Sequence, residues 1–214
     1  MIIRMNDDYM AKTIQAYDNA PDKFVTTTDV MINAVEMGIM LKYMPDKSLP
    51  ILDVGSGKDS GVLTKMGYKT VGIDMSKQLL DRAKSLHPDL DFEYMDVRNL
   101  DLEDNSFGSV WCNAVLLHLN DQDLEKALIE IYRVLAPKGI VAVSFKEGEG
   151  SREVIETFSS ESSRFYNFKS EQGLNRILEN AGFIIKQNHT LNERERFGPD
   201  VRDLDWVWSF GTKG

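Results

Sequence analysis

Four polar residues stand at comparable places in this chain, each closing a short run with strand character. They are Asp53 after Ile51-Leu52, Asp74 after Val71-Gly72-Ile73, Asp96 after Glu93-Tyr94-Met95 and Asn113 after Val110-Trp111-Cys112. A carboxylate at the end of a strand can accept hydrogen bonds from both hydroxyls of a ribose, the role that suits Asp74. One strand further on, Asp96 could accept from the exocyclic amine of an adenine. Singly, each aspartate is also what a helix cap or a turn requires. Four in register along one rim point to a ligand. Asp53 also opens the loop Asp53-Val54-Gly55-Ser56-Gly57, where glycines without a Cβ let the backbone approach a small molecule. Alone, a Gly-x-Gly loop is equally a plain turn.

Such residues need a scaffold that lines them up. From Pro50 onward, candidate strands at 51–54, 70–73, 91–95, 108–113, 140–145, 183–188 and 206–210 alternate with candidate helices at 60–66, 76–86, 121–135 and 170–181. Alternation at this spacing predicts an α/β domain of parallel strands joined by crossover helices, with the sheet covered on both faces. Ligands in such sheets lie beyond the carboxyl ends of the strands, where the winding reverses. Ser76 and Asn120 or Asp121 are natural N-caps, and Leu124, Leu128, Ile131 and Leu135 form an apolar stripe. Ahead of this, helical spacing at 8–18 and 28–44, broken by Asn19-Ala20-Pro21-Asp22, predicts a helical cap over 1–49 on a single domain at 50–214.

The chain is 214 residues long, room for one domain with a sizeable core, and its 25 Lys and Arg against 34 Asp and Glu leave a net charge of −9. That balance offers no long-range attraction to a phosphate backbone and disfavours a nucleic-acid partner. One cysteine, Cys112, excludes a disulfide framework and a cysteine zinc site within the chain. No stretch reaches the ~18 apolar residues of a membrane span, so no membrane partner and a cytoplasmic location are expected. Monomer and homodimer both remain open.

Read in order, the loop at Asp53–Gly57, the acidic end of VGID, Tyr94-Met95-Asp96-Val97, the stretch Trp111 to His118 and Arg133 to Gly139 resemble the motifs of class I S-adenosylmethionine-dependent methyltransferases. The resemblance is continuous over 50–146 and looser beyond. It implies a three-layer Rossmann-like fold, a mostly parallel seven-stranded sheet with its last strand antiparallel, and S-adenosyl-L-methionine as cofactor. By the same resemblance Asp53, Gly55 and Gly57 would hold the methionyl part, Asp74 the ribose, Asp96 with the backbone of Val97 the adenine, and Met75 the adenine face. Asn113 would complete the rim. Tyr17 matches a tyrosine that often lies over the cofactor, or is a core tyrosine. After Gly57 the chain departs from the pattern, since Lys58-Asp59-Ser60-Gly61 replaces the usual small residue and glycine. A nicotinamide-binding loop would need glycine at position 60, which is Ser60, and pyrophosphate would be repelled by Asp53, whereas an ammonium beside a sulfonium would not.

Methyl transfer from a sulfonium asks the protein mainly for alignment and desolvation. Where the acceptor must lose a proton, His118 in Leu116-Leu117-His118-Leu119 is the candidate base, against the alternative of a packed core histidine. His87 and His189 read as surface residues. Strand four lacks the Asn/Asp-Pro-Pro-aromatic pattern of amide-nitrogen methyltransferases, and Cys112, inside the strand, is poorly sited as a nucleophile. The segment Ser144-Phe145-Lys146, then Gly148-Glu149-Gly150, then Arg164-Phe165-Tyr166 resembles a bacterial subgroup with an SFK and GEG pairing. In the insert 148–168, Lys146 and Arg164 could hold an anionic group of a substrate and Glu147 or Glu149 act as base, or the stretch is a solvated loop. Asn192, Arg194 and Arg196 match part of that subgroup's pattern. The expected activity is methylation of a small soluble acceptor, with a tRNA or protein methyltransferase and a non-catalytic cofactor-binding module as the alternatives.

Overall fold

The computed structural model describes residues 8–55, 57–155 and 162–214. Three helices come first: α1 (Asp8–Asp18), α2 (Pro21–Thr28) and α3 (Ala34–Tyr43). Pro21 starts α2 instead of interrupting the chain, because a first-turn residue needs no N–H donor and proline presets its φ. The break falls at 29–33, so the helix expected at 28–44 is shorter. Strand and helix then alternate through β1 (Ile51–Val54), α4 (Lys58–Lys65), β2 (Thr70–Asp74), α5 (Lys77–Leu86), β3 (Asp91–Tyr94), β4 (Phe107–Cys112), α6 (Asp121–Val134) and β5 (Leu135–Lys146). A hairpin of β6 (Ser151–Ile155) and β7 (Ser163–Asn167) follows, then α7 (Glu171–Asn180), β8 (Phe183–Asn192), α8 (Glu193–Phe197) and β9 (Asp205–Lys213).

The main sheet runs in the order β3-β2-β1-β4-β5-β9-β8. Its first five strands pair in parallel, and β9 runs antiparallel to both β5 and β8. This is the seven-stranded, mostly parallel sheet with a reversed last strand that the resemblance implies. Every residue of β1 and β4 is buried, as expected of strands covered on both faces. Met37 and Met40 of α3 are fully buried, and Trp111 of β4 meets Trp208 of β9 at 4.8 Å between ring centres.

Because the chain winds from β1 out to β3 and returns to β4 on the other side of β1, the loops after β1 and β4 part company. A crevice opens between them. Local signals hold its walls: Ser76 caps α5 by accepting from the Leu79 amide at 3.1 Å, and Asn120 caps α6 by accepting from Asp123 at 2.9 Å. The hairpin is the main departure from expectation. Residues 151–155 and 163–167 form a two-stranded antiparallel sheet in place of a solvated loop.

Candidate active site

The loop after β1 needs glycine at position 55 for two reasons. Its φ is +84°, and a Cβ there would stand 2.9 Å from Cβ of Val115. Asp53, by contrast, lies beneath the loop. It is 1% exposed and lines neither of the two cavities described below, and its Oδ2 accepts from Ser60 Oγ at 2.5 Å. Burial, together with the charge of Asp59, pushes its carboxyl well above the usual range. The side chain expected on the ligand therefore supports the loop from below.

Asp74, at the tip of β2, faces both cavities. Its Oδ1 accepts from the Ser76 amide at 2.7 Å. Burial raises its carboxyl to about 7 against the opposing pull of the Ser76 and Met75 amides, and Asp18 adds to the rise. Met75 and Val97 line the smaller cavity, as does Asp96. The Asp96 carboxylate is already engaged: Arg98 donates from Nε at 3.0 Å to each oxygen and from Nη2 at 2.7 Å. The same guanidinium reaches Asp123 Oδ2 at 2.9 Å through Nη1, a link with no signal in local spacing.

At the end of β4, Asn113 donates from Nδ2 to Asp59 Oδ2 at 2.9 Å and accepts from Ser144 Oγ at 3.1 Å. Ala114 follows with φ +56°, turning the chain into a short 3-10 helix, Leu116–His118. His118 is 7% exposed. Its Nδ1 lies 2.7 Å from the carbonyl oxygen of Phe165, and its Nε2 lies 2.7 Å from the hydroxyl of Tyr17 on α1. Tyr17 and His118 both line both cavities.

The hairpin supplies the remaining wall. Arg164 and Tyr166 are two apart on β7 and so share one face, toward the larger cavity, while Phe165 turns back to pack on Tyr9 at 4.8 Å. The Arg164 guanidinium is 4.8 Å from the Tyr17 ring centre, and Lys146 Nζ is 3.9 Å from that of Tyr166. Both cations are buried and line the larger cavity. Glu147 and Glu149 line neither cavity.

Sequence reasoning missed the C-terminal contribution. Glu193, Arg202 and Trp206 line the larger cavity, with Glu193 accepting from Trp206 Nε1 at 2.8 Å and from Arg202. Asn192 caps α8, accepting from the Arg194 and Glu195 amides, a signal that could have placed the helix. His189 is not a free surface residue. It pairs at 3.0 Å with the fully buried Glu36, to which Arg196 comes within 3.7 Å. Burial raises the Cys112 thiol, which fits packing and not attack.

The two cavities, of ≈ 180 and ≈ 80 Å³, share Tyr17, Gly55, Asp74, Val115 and His118. The smaller runs over Met75, Met95, Asp96 and Val97, an apolar slot with a carboxylate at its rim. The larger continues past Gly57, Lys58, Asp59 and Asn113 to Lys146 and Arg164.

Comparison with known proteins follows the same lines. A family profile described as a methyltransferase domain matches residues 52–143. Phosphoethanolamine N-methyltransferase 1 of Triticum aestivum is 28% identical over 185 residues, which is 81% of this chain and 37% of the plant protein. Demethylmenaquinone methyltransferase of Renibacterium salmoninarum is 35% identical over 138 residues, 60% of this chain and 56% of that protein. The chain thus spans well under two thirds of either relative. Among solved structures, the 1,6-didemethyltoxoflavin-N1-methyltransferase of Burkholderia thailandensis, holding 1,6-didemethyltoxoflavin and S-adenosylhomocysteine, superposes with a TM-score of 0.72. It has 19% identity, over 96% of this chain and 89% of that one. A methyltransferase of Methanosarcina mazei gives 0.70 at 20% identity, over 82% and 96%.

Proposed function

We propose that the chain, whose residues 52–143 match a methyltransferase-domain profile, is a class I S-adenosylmethionine-dependent methyltransferase that methylates a small acceptor bearing an anionic group, with His118 acting as base through Tyr17. The residues present fit the cofactor. Gly55, with no Cβ to collide with Val115, lets the loop backbone line both cavities, Asp74 offers a carboxylate where a ribose would lie, and the Met75–Val97 slot suits a flat ring. When bound, S-adenosylmethionine supplies an electrophilic methyl carbon. We assign Asp74 to the ribose, Asp96, Val97 and Met75 to the adenine, and Gly55, Gly57 and Asn113 to the methionyl end. Of the helical cap expected over 1–49, we assign α1, α2 and α3 to that role, and residues 1–7 lie outside the described residues.

One observation carries the catalytic part: Tyr17 Oη and His118 Nε2 meet at 2.7 Å where the two cavities join. A carbonyl oxygen only accepts, so the contact to Phe165 requires the hydrogen on Nδ1. Nε2 then presents its lone pair to the phenol. As an amine or hydroxyl acceptor gives its proton to Tyr17 Oη, the phenolic hydrogen passes to Nε2. Lys146 and Arg164, lining the same cavity, would hold the acceptor's anionic group. Two plant relatives act, by their names, on phosphoethanolamine, a small molecule joining an anion to an amine, which supports this reading.

The test is incubation with methyl-labelled cofactor and fractionated extract. Label is expected in low-mass molecules retained by an anion exchanger. Label in tRNA or protein would replace this reading with a macromolecular one, and tight cofactor binding with no label transfer would leave a binding module.

A further inference from the structure

Lys58 and Asp59 stand where related loops continue with a small residue and a glycine, and nothing above gives them a role. We propose that the pair clamps the zwitterionic amino-acid end of the cofactor, Asp59 taking the ammonium and Lys58 the carboxylate. This rests on the cofactor reading of the crevice.

Asp59 is the second residue of α4, is 7% exposed and lines the larger cavity beside Gly57. Its two oxygens are treated differently. Oδ2 accepts from Trp111 Nε1 and from Asn113 Nδ2, each at 2.9 Å. Oδ1 is buried and accepts no hydrogen bond among the described residues. The Lys58 ammonium is 3.9 Å away, close enough to attract and too far to donate. A buried carboxylate oxygen without a donor is costly, and a cationic N–H donor from the ligand removes that cost. Two donors locked on Oδ2 also fix the direction in which Oδ1 points, so the acceptor is in place before binding.

Lys58, the first residue of α4, is the more exposed of the two. Its side chain is 21% exposed, and Nζ donates to the carbonyl oxygen of Met31, which also lines the larger cavity. An ammonium has three hydrogens, so this bond leaves donors for a carboxylate. The order of the charges sets the orientation of the ligand: ammonium inward over Asp59, carboxylate outward at Lys58. A glycine at position 59 carries no side chain and could not make this distinction.

Calorimetric binding of three neutral-sulfur ligands separates the parts. S-adenosylhomocysteine carries both charged groups, its decarboxylated analogue only the ammonium, and 5′-methylthioadenosine neither. Asp59→Asn, which keeps an oxygen for Trp111 and Asn113 but turns an amide toward the ammonium, is expected to weaken the first two about 10- to 100-fold and leave methylthioadenosine unchanged. Lys58→Glu, at a partly exposed position, is expected to weaken S-adenosylhomocysteine alone, by about 5-fold or more. This second variant keeps the test decisive if Asp59→Asn does not fold. Equal losses on all three ligands, or none, would overturn the clamp. If the unaltered protein binds none of them, it is the cofactor reading that fails.

Discussion

Tyr17 Oη lies 2.7 Å from His118 Nε2, and the same imidazole is held from its other side by the Phe165 carbonyl oxygen at 2.7 Å from Nδ1. The histidine is thus fixed as a hydrogen-bond acceptor toward the tyrosine, and the two residues behave as one unit. Tyr17→Phe and His118→Asn are each expected to lower kcat about 100-fold or more, with the double variant no worse than the poorer single one. S-adenosylhomocysteine affinity should be unaltered in both. A Tyr17→Phe enzyme at full turnover would remove the tyrosine from the proton path.

S-adenosylhomocysteine, and not NAD, is expected to raise the melting temperature, and Asp74→Ala to remove most of that shift.

If Asp74 holds the ribose as proposed, its carboxyl, raised to about 7, should make cofactor binding depend on pH. Ribose hydroxyls donate to the ionised form, so affinity should rise as pH climbs through about 7. In the unliganded protein the sign is opposite. The folded state holds this proton more tightly than the unfolded chain, whose carboxyl titrates near about 4, so stability from this group falls between those two values as pH rises. Asp18→Asn should move the binding midpoint downward by removing the neighbouring charge. A pH-independent affinity between 5 and 8 would show that no Asp74 proton is lost on cofactor binding.

Arg98 ties Asp96 of the smaller cavity to Asp123 of α6. At Asp123, burial alone would raise the carboxyl, but hydrogen bonds from Tyr9 and Lys126 and the charge of Arg98 hold it below the usual range. A depressed carboxyl stabilises above its unfolded value and loses that contribution as pH falls below about 4. Urea titration of Arg98→Met should show a loss of about 1–3 kcal/mol at pH 7 that shrinks in acid. Equal losses at pH 7 and pH 3 would mean that the ion pairs are not its source.

Lys146→Met should raise KM for an anionic acceptor about 10-fold or more, with kcat and cofactor affinity little changed. A change confined to cofactor affinity would place Lys146 with the cofactor.

The parallel strands were legible because their signals are local and redundant. Apolar runs in β2 and β4 closed by Asp74 and Asn113 mark strands and rim together, and Ser76 and Asn120 act as the caps their positions suggest. The β7 wall was not, since its inward face carries Arg164 and Tyr166 toward the larger cavity while Phe165 points the other way. Alternation therefore reads in reverse. Pro21 misled because a breaker in mid-helix is a starter in the first turn. Glu36 and Arg98 owe their roles to partners far along the chain, which no local spacing records.

Tyr9, Thr13 and Tyr17 fall at every fourth residue of α1 and so lie on one face. Tyr9 bonds to Asp123, Thr13 accepts from the Phe165 amide and Tyr17 meets His118, while Asp18 at the helix end accepts from Ser76. This seam roofs both cavities with polar bonds, each of which water can replace. Beside these bonds, α1 buries Met10 and Ala16 and packs Tyr9 and Ile14 against the core. On the proposed mechanism, the tyrosine that would relay the proton is also one of the fasteners of this roof. Under that proposal, chemistry and release would meet at a single side chain.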